Sequence, residues 1–107
     1  MNKEDLVSVI MPTYNAGKYL ADSINSILNQ SYKNLELLIT DDASTDPTTL
    51  QLLQEFASKD NRVDILYLKE NHGAGYARNK SIERAKGRYI AFCDSDDRWT
   101  TDKLEKQ

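Results

Sequence analysis

The chain has 107 residues, enough for one domain with one core and too few for a second. Hydrophobic residues at 39%, charged residues at 29% and a mean hydropathy of −0.66 describe a globular chain with a polar surface and give no argument for disorder. A net charge of −3 and a pI near 5.1 argue against a nucleic-acid partner, because binding a phosphate backbone needs a clustered basic face.

Residues Leu6 to Met11 form a short apolar, β-branched run that Pro12 stops, which predicts a buried first strand. Beyond Pro12-Thr13-Tyr14-Asn15-Ala16-Gly17, the apolar residues Leu20, Ile24, Ile27 and Leu28 recur at helical spacing and predict a helix from about Lys18 to Gln30. Leu35 to Thr40 reads as a second strand, running into Asp41-Asp42-Ala43-Ser44-Thr45-Asp46. Asp46 followed by Pro47 is a cap and first-turn signal, and the helix it opens places Leu50, Leu53, Phe56 and Ala57 on one side. Val63 to Leu68 reads as a third strand. The loop Asn71-His72-Gly73 leads into a third helix with Ala74, Ala77, Ile82 and Ala85 as packing positions and Gly87 as its stop. Arg88 to Cys93 reads as a fourth strand, and Thr101 as the cap of a last helix.

The fourth strand runs into Asp94-Ser95-Asp96-Asp97. Carboxylates crowded at a strand end repel one another unless a cation or a set of donors offsets the charge. Continued as a strand, Asp94 and Asp96 leave the same face, an arrangement of hard oxygen ligands suited to a divalent metal. Arg98 is the one nearby basic residue that could offset the cluster.

Cys93, the single cysteine, excludes an internal disulfide and fits a reducing compartment. Met1 to Leu6 lacks the apolar stretch of a secretory signal, and no segment has the length of a membrane span. The expected location is therefore cytoplasmic, or peripheral at the inner face of the membrane.

Strand and helix alternate through the chain, so the expected fold class is α/β. It is a Rossmann-like three-layer sandwich with a mainly parallel sheet; if the order is 3-2-1-4, the reversal falls between strands one and four. Ligands of such sheets collect at the carboxyl ends of the strands, where the order reverses. Thr13 to Asn15, Asp41 with Asp42, and Asp94 to Asp97 all follow strand ends, so the topology predicts one shared crevice.

These motifs, Val7-Ser8-Val9-Ile10-Met11-Pro12-Thr13-Tyr14-Asn15, Asp41 to Asp46, Asn71-His72-Gly73 with Ala77-Arg78-Asn79, and Asp94-Ser95-Asp96-Asp97, resemble in order the motif set of family 2 glycosyltransferases, which adopt the GT-A fold. The resemblance runs from Leu6 to about Glu105. It implies a sugar transferred with inversion from a nucleotide-diphosphate donor, UDP by family habit, to a glycan or lipid-linked saccharide acceptor, with Mn2+ or Mg2+. By resemblance, Pro12, Thr13, Tyr14 and Asn15 line the base and ribose, and Asp42 accepts a hydrogen bond from the base. Arg78 lies near the base and diphosphate, Asp94 and Ser95 near the ribose and metal, and Asp96 ligates the metal beside Asp94. Ala43 stands where the family often has Gly, and Lys80-Ser81 replaces a segment often ending in Gly.

The resemblance also places the catalytic base well downstream of the Asp-x-Asp strand, beyond Gln107. Residues 1–107 therefore read as the donor-binding half of a truncated GT-A domain whose acceptor half is absent. Such a piece is expected to bind nucleotide and metal but turn over poorly, and its exposed sheet edge predicts self-association as a homo-oligomer.

Each residue also has a plain structural reading. Asp46 fits an N-cap better than a ligand, Asp41 can simply orient a turn, and Asp97 can cap one. His72 reads as solvated, Tyr14 as either a packing residue or a base platform, and Arg78 as a helix-surface partner for Glu83. Two other function classes stand beside the transferase. A sugar nucleotidyltransferase shares the layout, but the segment after strand one, Pro12 to Lys18, has one glycine and one lysine rather than a glycine-rich triphosphate loop. A non-catalytic nucleotide-binding domain would keep the pocket without the chemistry.

Overall fold

In a computed structural model describing residues 4–106, β1 (Val7–Thr13), α1 (Tyr19–Leu28), β2 (Leu35–Asp41), α2 (Pro47–Lys59), β3 (Val63–Tyr67), α3 (Ala74–Arg84) and β4 (Tyr89–Phe92) follow one another. All strand pairings are parallel and the order is β3-β2-β1-β4. The sheet is the one that the alternating elements predict.

Alternation along the two central strands splits the interior into two layers. Val7, Val9 and Met11 of β1 and Leu35, Leu37 and Ile39 of β2 join Leu20, Ile24 and Ile27 of α1 and Leu53 of α2 in one apolar cluster. Burying each of these leucine or isoleucine side chains contributes about 1.5–3 kcal/mol. The opposite face, with Ser8, Glu36 and Thr40 among its residues, is covered by α3 and carries a polar network. Ser81 Oγ lies 2.7 Å from Thr40 Oγ1 and donates to the Leu38 carbonyl at 3.0 Å. The Arg84 guanidinium donates to Thr40 Oγ1 and the Ile39 carbonyl, both at 3.1 Å. These bonds fix α3 against β2, and α3 carries Arg78.

The ends of the elements differ from the sequence expectation for identifiable reasons. β1 runs through Pro12 to Thr13 instead of stopping at Met11. In this register Ile10 presents its carbonyl to the β4 side, accepting from Cys93 N at 3.0 Å, so Pro12 faces that side too. The paired part of β4 ends opposite Ile10, so the missing N–H of Pro12 breaks no ladder bond. Asp46 caps α2 as predicted, its carboxylate accepting from Thr49 N at 3.2 Å and Thr49 Oγ1 at 2.7 Å with Pro47 in the first turn. Its affinity for a proton falls below the usual carboxylate range, chiefly through the Thr49 hydroxyl. α3 ends at Arg84, before Gly87. No α-helix starts at Thr101; residues 101–106 form turns.

Gly87 is required by proximity rather than by a helix stop. A Cβ there would lie 2.5 Å from Ser8 Oγ, 2.7 Å from Ser8 N and 2.8 Å from the Leu6 carbonyl oxygen. Two of those atoms are backbone of the segment entering β1, so relief requires moving a strand. Gly87→Ala is expected to destabilise the fold by about 1–3 kcal/mol, the range for forced overpacking. A urea midpoint equal to that of the native chain would show that β4 can shift freely.

No described helix is long and apolar enough to cross a membrane. β4 pairs with β1 alone and is the least covered strand, with Tyr89, Ile90 and Phe92 all exposed.

Candidate functional site

The carboxyl ends of β1, β2 and β4 open onto a cleft of about 500 Å³ lined by Pro12, Thr13, Tyr14, Asp42, Arg78, Asp94, Ser95 and Asp96, together with Ala16, Tyr19, Ala74 and Ala77. Residues from four separate stretches of the chain thus meet where the strand order reverses. Of the predicted site residues, Asn15 alone is outside the lining. Its backbone adopts φ +46°, which Asn tolerates, and its side-chain oxygen accepts from Thr45 N at 2.9 Å and Asp46 N at 3.0 Å. Asn15 therefore ties the β1–α1 loop to the β2–α2 loop.

Thr13 is 2% exposed, and its hydroxyl oxygen has no hydrogen-bond partner among the described residues although it borders the cleft. Buried polar atoms without partners are uncommon, and one at a cleft wall is poised for a ligand. Tyr14 stands at 51% exposure on the same wall, its ring available for stacking. Asp41 orients a turn, accepting from Ser44 N at 3.0 Å and from the Ser44 hydroxyl. Ala43 follows at φ +63°. Glycine adopts that left-handed backbone freely, whereas it adds roughly 1–2 kcal/mol of local strain to this alanine.

Asp42 is 2% exposed at the cleft floor. Its Oδ1 accepts from His72 N and its Oδ2 from Gly73 N, each at 2.8 Å. His72 itself is exposed and stacks on Tyr76 with ring centroids 4.2 Å apart. Across the cleft from the strand ends, Arg78 projects from α3. Glu83, its expected surface partner, pairs instead with Lys80 at 3.5 Å, and Arg78 makes no ion pair among the described residues. Its charge is free to meet an anion.

The acidic segment is a turn and not a continued strand. β4 ends at Phe92, and Asp97 N donates to the Asp94 carbonyl at 3.0 Å. The same-face argument from strand alternation therefore does not apply: β1 continues past its last pair with β4, but Pro12, the next residue facing that side, has no N–H with which to extend the ladder. The turn nevertheless gathers the carboxylates: Asp94, Asp96 and Asp97 each offer an oxygen within 4.8 Å of the others, and all three are exposed. Arg98, the nearby cation, lies 3.9 Å from Asp22 instead of neutralising the cluster. Clustered carboxylates without an internal counter-charge form a donor set that fits a hard divalent cation.

Sequence reasoning missed what holds this turn. Ser23, Ser26 and Gln30 follow one another at helical spacing of three and four. Ser23 Oγ donates to the Ser95 carbonyl at 2.8 Å, and Ser26 Oγ accepts from Trp99 N at 3.1 Å. Gln30 Nε2 donates to the Thr100 carbonyl at 2.6 Å, while its oxygen accepts from Leu104 N at 3.1 Å. The signal was present as a polar stripe beside the apolar face of α1. Tyr19 was also missed as part of the cleft wall. Cys93, just before the turn, is buried, and burial aided by the carboxylates of Asp97 and Asp94 pushes its thiol up to about 12. It is a small neutral packing group rather than a nucleophile.

Comparison with known proteins agrees with this layout. The family model described as glycosyl transferase family 2 matches residues 8–107. A Bacillus subtilis glycosyltransferase named for teichuronic acid biosynthesis, TuaG, is 54% identical over 99% of this chain and 42% of its own length. An Escherichia coli protein named UDP-Glc:alpha-D-GlcNAc-diphosphoundecaprenol beta-1,3-glucosyltransferase, WfgD, is 49% identical over 95% of this chain and 39% of its own. The chain thus spans about two-fifths of the length of these relatives. Among solved structures, residues 1–349 of Staphylococcus aureus TarS in complex with UDP-GlcNAc superpose with a TM-score of 0.86. The identity is 36%, over 94% of this chain and 29% of that one. These neighbours are GT-A glycosyltransferases, and the sheet order and cleft described above make this fold GT-A. With the ordered motifs matched across nearly its whole length, the chain belongs to glycosyl transferase family 2.

Proposed function

We propose that this chain forms the donor-binding part of a metal-dependent, inverting glycosyltransferase that takes a sugar from a nucleotide diphosphate, UDP for preference, to a saccharide acceptor in polysaccharide or surface-glycan synthesis. The observation that carries the reading is the cleft itself. It joins an unpartnered buried hydroxyl, an unpaired arginine and uncompensated carboxylates at one sheet edge. Charged groups left unpaired by the protein are the complement of a charged ligand. The solved complexes of TarS with UDP and with UDP-GlcNAc support the nucleotide assignment. WfgD, by its name, acts on a lipid-linked saccharide, which supports that class of acceptor.

In this reading Tyr14 offers its ring to the base, and Thr13 offers its hydroxyl as donor or acceptor to the nucleoside. Arg78 meets the diphosphate charge, and Asp94 with Asp96 would hold Mn2+ or Mg2+. The metal supplies positive charge that stabilises a diphosphate as leaving group. A Mn2+ complex of a mannosyltransferase from Pyrobaculum calidifontis, 29% identical with a TM-score of 0.82, supports the choice of ion.

Calorimetric titration with UDP and GDP, with and without manganese, tests the reading on the native chain and on Thr13→Val. Removing a hydroxyl that has no partner leaves folding stability unchanged, while UDP affinity falls by about 0.5–1.5 kcal/mol, the net worth of one hydrogen bond. A native chain that binds UDP no better with manganese than without would overturn the metal-dependent donor site.

A further inference from the structure

Helix α3 forms one wall of the cleft through Ala74, Ala77 and Arg78, yet it has no side-chain cap of its own, because its N-cap is Gly73 at φ +95°. The orphan amides at such an end are ordinarily met by a local Ser, Thr, Asp or Asn. Here the side-chain acceptor comes from beyond β2 and holds the amides of the N-cap and of the residue before it. Both carboxylate oxygens of Asp42 are engaged by consecutive amides, His72 N and Gly73 N at 2.8 Å each, and Asn71 Nδ2 reaches the Asp42 carbonyl at 3.3 Å. The buried negative charge lies at the positive end of the α3 dipole, and charge-assisted hydrogen bonds offset its desolvation. Ala77 N in turn donates to the Gly73 carbonyl at 3.1 Å, so the first helical turn is built directly on the tethered loop.

We infer that Asp42 is a positioning residue: it tethers His72 and the N-cap Gly73, which lead into α3, from a different element, and by fixing the Asn71–Gly73 loop it sets where the α3 wall and Arg78 stand across the cleft. This inference rests on the donor-site reading above and adds to it a role for Asp42 that precedes any contact with a base. A carboxylate is required because two amides approach together. Asparagine has one accepting oxygen, and its NH2 group would face the second N–H.

Three measurements test it. In nucleotide-free protein, Asp42→Asn is expected to raise hydrogen exchange of the His72 and Gly73 amides at least tenfold, while Thr49 N, capped by Asp46, keeps its protection and reports that the fold is intact. UDP and GDP affinities then fall by a similar factor, because a displaced wall does not discriminate between bases. Gly73→Ala disturbs the same loop through backbone strain alone, since open space surrounds the position a Cβ would take. It should weaken both nucleotides in the same way, and adding Asp42→Asn to it should cost little more. Unchanged exchange at His72 and Gly73 overturns the inference. So does a loss confined to UDP, with Gly73→Ala binding normally, which is the signature of Asp42 acting only on the base. Failure of the native chain to bind any nucleotide instead sinks the donor-site reading, and the two failures are separable because the exchange measurement needs no ligand.

Discussion

Asp96→Ala binds UDP with the same affinity in manganese as in its absence, whereas the native chain gains on the order of tenfold or more, about 1.4 kcal/mol per decade, when the ion is added. The expectation follows from the way the acidic turn is built. Asp94, Asp96 and Asp97 lie within reach of one another, and the basic side chain nearest in sequence is drawn toward Asp22. Among the described residues no ion pair is made to any of the three carboxylates. Removing one of the two proposed ligands leaves too few hard oxygens to compete with water for it. Stability should not fall, because an exposed carboxylate in a repelling cluster contributes no favourable contact to the fold. A variant that retains the full manganese effect would place the ion elsewhere.

Arg78→Met shows the complementary pattern: UDP affinity drops by about 10–100-fold with manganese and by a similar factor without it. A hydrogen bond to a charged group is worth about 1.5–3 kcal/mol, and Arg78 has no partner among the described residues that would compete for it. Methionine keeps an unbranched stem and removes the charge with its N–H donors. Titration of uridine, which lacks phosphate, separates the alternatives. Equal losses for uridine and UDP would assign Arg78 to the base end of the cleft instead of the diphosphate.

The parallel sheet was legible in the chain because four short apolar runs alternate with helix-period patterns, and the order 3-2-1-4 came with the family resemblance. The crevice was legible for the same reason, since polar residues placed just after strands converge once the strand order is known. What stayed hidden was how each residue is held. Nothing in the spacing of Asn15 shows that its amide serves the Thr45 and Asp46 backbone, because that contact spans thirty residues and depends on loop geometry. The end of β4 was misjudged because an apolar-to-acidic boundary in sequence carries no record of which residue of the partner strand faces it, here Pro12, which has no N–H to extend the ladder. Asp42 was recognisable by resemblance as a site residue. Its tether to α3 was not, because backbone amides have no sequence signature.

The side of α1 that faces the Asp94–Asp97 turn has a consequence for how that turn meets an ion. Ser23 holds the Ser95 carbonyl within the turn, and Ser26 together with Gln30, just past the end of α1, holds the backbone of Trp99, Thr100 and Leu104 that follows, so the mutual repulsion of the aspartates is restrained by bonds to one helix and its end. On the proposed reading the turn is already close to the arrangement that would hold a cation, and little ordering would remain on binding. The helix acts as a splint for the charged turn.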